Sequence, residues 1–104
     1  MNPEIKERWI AALESGEYAK GVSALKRIDT DGLCSFCCLG VIADIHGDLV
    51  EEAKYRIVTK KRSHSGWLLD GEYGLSKMVQ RELGSINDKS DTFAPVIEYI
   101  RENL

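Results

Sequence analysis

The stretch Phe36-Cys37-Cys38-Leu39-Gly40-Val41-Ile42-Ala43-Asp44-Ile45-His46 constrains this chain most. It is apolar nearly all round, and Gly47-Asp48 ends it. An element without a broad polar face has to be covered on every side, so the rest of the chain must fold around it. Its length and closing glycine predict a central buried helix, although Phe36 and Val41-Ile42 would also suit a buried strand. A chain of 104 residues has room for one such core. The expectation is a single globular domain over residues 1–104, burying about two-thirds of the surface its unfolded chain exposes.

The flanking segments carry their own punctuation. Asn2 suits an N-cap and Pro3 the first helical position, where a missing N–H goes unnoticed. Ile5, Trp9, Ala12 and Leu13 then recur at helical spacing up to Gly16, predicting a helix from Pro3 to Ser15 with Trp9 in the core. Glu17 to Leu33 reads as a connector, with a turn cluster at Asp29-Thr30-Asp31-Gly32. Tyr55-Arg56-Ile57-Val58-Thr59 and Trp67-Leu68-Leu69 flank a polar loop and suggest a hairpin. Leu75, Met78, Val79, Leu83 and Ile86 form one helical stripe, with Lys77, Gln80, Arg81 and Glu82 facing water, over a helix from about Leu75 to Leu83. Asp91 or Thr92 can cap a last helix with Pro95 in its first turn and Phe93, Ile97, Ile100 and Leu104 on its apolar face. The pieces predict a mostly helical α+β domain, three to four helices around the buried central one with a small β-hairpin.

Composition narrows the environment. The charged N-terminal residues Glu4, Lys6, Glu7 and Arg8 break any export signal, and no window is long and apolar enough to span a membrane, so a cytosolic protein is expected. Three crowded cysteines, Cys34, Cys37 and Cys38, are an odd count, and free thiols are expected. Net charge is −3, yet Lys54 to Leu69 contains no acid and holds Lys54, Arg56, Lys60, Lys61 and Arg62. The remainder of the chain is correspondingly acidic. Such polarity steers charged partners to one edge or the other.

Few residues suggest chemistry. Cys34, Cys37, His46 and His64 are the best zinc set the chain offers, since zinc takes four thiolate or imidazole ligands. The spacing is poor, and the competing reading makes Cys37 and Cys38 small apolar core residues. A redox site would place Cys34 at a helix N-terminus, and a nucleophile would pair Cys34 or Cys37 with His46 or His64. No signature motif supports either, and Gly66, Gly71 and Gly74 lack a phosphate-loop context. The strongest surface candidate is basic: Lys54, Arg56, Lys60, Lys61, Arg62 and His64, with Tyr55 and Trp67 nearby, could meet phosphates and stack a base. A sequence pI near 5.4 weighs against a dedicated nucleic-acid binder.

Several blocks in order carry a resemblance. Ala11-Ala12-Leu13-Glu14-Ser15-Gly16-Glu17-Tyr18, Gly21 to Leu25, Phe36-Cys37-Cys38-Leu39-Gly40-Val41 and Ile86-Asn87-Asp88 before Phe93 together resemble a family of short proteins met in tailed-phage and prophage genomes. The Cys-Cys-Leu-Gly-Val block is the most specific part. The resemblance implies a phage-derived accessory protein made in a bacterial cytoplasm and transfers no catalytic residue. The expected activity is non-catalytic binding of a host macromolecule, a protein foremost, without a cofactor and without a membrane partner. The alternative is a nucleic-acid-binding or zinc-stabilised regulator. Monomer and symmetric dimer are both compatible with these patterns.

Overall fold

Asn2 starts the first helix as its side chain predicts. Its Oδ1 accepts from the N–H groups of Glu4 and Ile5 at 2.8 and 3.2 Å, and α1 runs Pro3–Glu14 with Trp9, Ile10 and Leu13 buried. The computed structural model describes residues 1–22, 24–28, 31–50, 57–60 and 71–104, with backbone alone for residues 50 and 57–60. After α1 come β1 (Lys26–Ile28), β2 (Cys34–Phe36), α2 (Cys38–Ile45), β3 (Leu49–Val50) and β4 (Ile57–Lys60), then a 3₁₀ turn at Glu72–Gly74, α3 (Lys77–Lys89) and α4 (Ala94–Asn103). The strands form an antiparallel sheet in the order β2-β1-β4-β3, with Lys26 opposite Phe36 and Ile28 opposite Cys34. The architecture is the expected mostly helical α+β one: α2 packs against α1, α3 and the sheet, and α4 closes the bundle against α1 and α3.

Three details differ from the sequence reading. The central helix begins at Cys38, with Cys37 as its N-cap, while Phe36 belongs to a strand. The Phe36 N–H donates to the Ala19 carbonyl at 2.8 Å, and the Phe36 carbonyl accepts from Gly21 N–H at 2.7 Å. Both of its backbone groups are therefore satisfied sideways, which a continuous apolar run cannot reveal. Next, α3 starts at Lys77, where the Ser76 hydroxyl accepts from Val79 N–H at 3.2 Å, and continues through Gly84 to Lys89. Glycine there costs about 1 kcal/mol relative to alanine, a loss offset by burying Asn87 and packing Ile86. Finally, Met78 is 81% exposed while Gln80 is 1% exposed. Gln80, Leu83 and Asn87 share the buried stripe, and the Gln80 amide donates to the Leu75 carbonyl at 3.0 Å. Of the predicted hairpin, Ile57–Lys60 is a strand paired with β1 and β3, and Trp67-Leu68-Leu69 lies outside the described residues.

The N-terminal end of α2 is where the molecule is tied together. The Trp9 indole N–H donates to the Cys38 carbonyl at 2.9 Å, joining α1 to α2. Asn87, fully buried on α3, accepts from Cys38 N–H at 3.1 Å and donates to the Gly21 carbonyl at 2.9 Å. One side chain thereby satisfies two separate segments. The Leu25 carbonyl accepts from Cys37 N–H at 3.3 Å and would lie 1.7 Å from a Cβ on residue 40. Only glycine admits that approach, which explains Gly40 inside an otherwise large-residue helix.

Candidate functional site

The cysteines singled out in the sequence are held by the fold. Cys37 Sγ accepts from Gly40 N–H at 3.4 Å, a weak N-cap, and burial pushes its thiol up to about 11. Cys38 is fully buried with Sγ 3.8 Å from the Leu83 carbonyl, and burial drives its thiol well above the ordinary range. A helix N-terminus ordinarily favours the thiolate, but here the loss of water outweighs that field. Cys34, expected at a helix N-terminus under the redox reading, stands instead in β2, half-buried. Cys37 and His46 cap opposite ends of α2, roughly 13 Å apart along the axis at 1.5 Å per residue, so they form no nucleophile–base pair. Cys34, Cys37 and His46 do not converge: among the described residues no group of three His, Cys, Asp or Glu side chains could hold a metal. His64 lies outside the described residues.

The C-terminal end of α2 gathers polar groups around His46, the one among them that the sequence reading put forward for chemistry. Gly47, at φ +69°, ends the helix with its N–H on the Asp44 carbonyl, and Asp48 N–H reaches the Ala43 carbonyl. This is the double bond pattern of a Schellman cap. His46 Nδ1 donates to the Ile42 carbonyl at 2.7 Å, and the ring stacks on Tyr73 with centroids 4.6 Å apart. The Tyr73 hydroxyl donates to Asp48, which with burial keeps that phenol well above its usual range. Tyr73 itself sits in the left-handed region at φ 55°, a conformation costing on the order of 1 kcal/mol. On Asp44, the Tyr18 hydroxyl donates to Oδ2 at 2.5 Å while its ring meets Phe36 edge-on. Burial first, then that carboxylate, raises the Tyr18 phenol to about 12. These contacts hold loops to the helix end.

The open surface lies elsewhere, between α1 and α4. A hollow of about 470 Å³ is lined by Glu14, Ala94, Ile97, Glu98, Arg101 and Glu102. A second, of about 370 Å³, is lined by Pro3, Lys6, Glu7, Ile10 and again Arg101. The Arg101 guanidinium bonds Glu14 at 2.5 Å, crossing from one helix to the other between the two hollows. In both hollows charged side chains flank a few aliphatic ones, Ile10 in one and Ala94 and Ile97 in the other.

Residues 1–100 match the family described as Domain of unknown function (DUF8296). The chain belongs to this family. No curated protein and no solved structure matches it.

Within this DUF8296 domain the sequence-derived basic surface is only partly described. Lys54, Arg56, Lys61, Arg62 and His64 lie outside the described residues, and of Lys60 the backbone alone is placed, at the end of β4. The furrow was missed because each helix shows its polar face in sequence, but not which other face it meets. A signal was present: Lys6, Glu7 and Glu14 repeat on one side of α1, as Glu98, Arg101 and Glu102 do on α4. Among the described residues no helix is long and apolar enough to cross a membrane.

Proposed function

We propose that this chain is a phage-derived accessory protein that acts by stoichiometric binding of a bacterial host protein, without catalysis. One observation carries the reading. Among the described residues, Cys37 and Cys38 at one end of α2 and Tyr18, His46 and Tyr73 at the other are committed to holding the fold, while Cys34 stands half-buried in β2. The open surface between α1 and α4 carries carboxylates, cations and aliphatic groups, which are suited to recognition. The resemblance of the Phe36–Val41 block to short tailed-phage and prophage proteins supports the phage origin. The test is retention from bacterial lysate on the immobilised chain at low and high salt, followed by light scattering of the recovered complex. One host protein retained in equimolar amount and released by salt is the expected result. Background alone at both salts contradicts the reading.

A further inference from the structure

We infer that the furrow between α1 and α4 receives a basic amphipathic helix of the partner, an inference that rests on the binding reading above. Pro3, Lys6, Glu7, Ile10 and Glu14 follow one another at helical spacing on α1, and Ala94, Ile97, Glu98, Arg101 and Glu102 do so on α4. Two single faces therefore line two hollows that share Arg101. From Pro3 to Glu14 the two hollows together follow roughly 16 Å of α1, the length of about three helical turns. Ile10, Ala94 and Ile97 supply an apolar floor against which a helix presents anchors spaced three and four residues apart. Among the described lining residues, Glu7, Glu14, Glu98 and Glu102 outnumber Lys6 and Arg101, so the rim is net negative and selects a lysine- or arginine-rich helix. Ile10 and Ile97 are each 8% exposed, leaving a narrow floor, so the rim charges dominate and binding falls with salt. The Arg101–Glu14 bridge is half-exposed on both sides and can exchange partners when a cation enters.

The probe is a synthetic three-turn peptide of leucine and lysine with leucines at helical spacing, titrated into the isotope-labelled chain. Its counterparts carry glutamate for lysine, or a central proline. The basic peptide is expected to move amide signals of α1 and α4, and Glu98→Lys with Glu102→Lys to weaken it about tenfold while leaving circular dichroism unchanged. Equal binding of the acidic peptide, signals moving elsewhere, or a furrow occupied by a second copy in sedimentation would overturn the inference. Retention of the host protein undiminished by the double charge reversal also overturns it, and leaves the binding reading standing. Failure of the wild-type chain to retain any host protein is the distinct failure of that reading.

Discussion

The junction at the start of α2 and the furrow between α1 and α4 are built from opposite kinds of residue. At the junction, Trp9, Cys37, Cys38, Gly40 and Asn87 are buried, and their polar atoms are matched one to one within the chain. In the furrow, Glu98, Arg101 and Glu102 are exposed and rest on a thin aliphatic floor. Unusual residues, taken alone, would direct attention to the cysteines. The environment of Cys37 and Cys38 ties them into the core, while the charged faces of α1 and α4 stand open to solvent.

The contrast can be broken by substitution, and the effects should fall in order. Gly40→Ala places a Cβ against the Leu25 carbonyl, backbone that cannot turn aside, and is expected to cost about 3 kcal/mol or more in urea unfolding. Asn87→Ala strands the buried Cys38 N–H and removes a partner of the Gly21 carbonyl, for a loss of about 2 kcal/mol. Cys37→Ser exchanges a weak cap for a stronger one at the cost of burying a hydroxyl. Its unfolding free energy should change by less than about 1 kcal/mol, and Cys34 should be the fastest thiol to react with a disulfide reagent in the native chain. Arg101→Ala removes an exposed ion pair, and stability should change by no more than about 0.5 kcal/mol.

The other end of α2 sharpens the comparison through pH. Tyr18 is raised from 10.0 to about 12 in the folded chain. Its folded value lies above its unfolded one, so its contribution is complete below pH 10 and is lost as pH rises toward 12. Tyr18→Phe should be less stable at neutral pH and decline less steeply across that interval. Parallel decline of both proteins would contradict the hydrogen bond to Asp44.

Much of this fold was legible because some residues act locally. Asn2 and Pro3 mark a helix start with their own side chains, Pro95 tolerates only a first turn, and the spacing of Trp9 and Leu13 places them inside. Phe36 misled because its strand role depends on Ala19 and Gly21, neighbours in space at a distance along the chain. Gly84 misled because packing by Ile86 and Asn87 overrides a local breaker. Met78 and Gln80 exchanged places because the stripe of α3 is set by what it meets, and a glutamine with a carbonyl partner can occupy a core position. The charged repeats of α1 and α4 were legible, but how the two helices lie together, which brings those faces side by side, is contained in neither pattern. Cys37 and Cys38 were legible as core residues, and the structure adds what each thiol touches.

The most direct measurement compares Cys37→Ser with Glu98→Lys/Glu102→Lys in one assay, retention of the host protein at low salt by folded chains of equal concentration. The account predicts wild-type retention for the cysteine variant and loss for the charge reversal. Loss on replacing Cys37, with retention unaffected by the reversed glutamates, would contradict it.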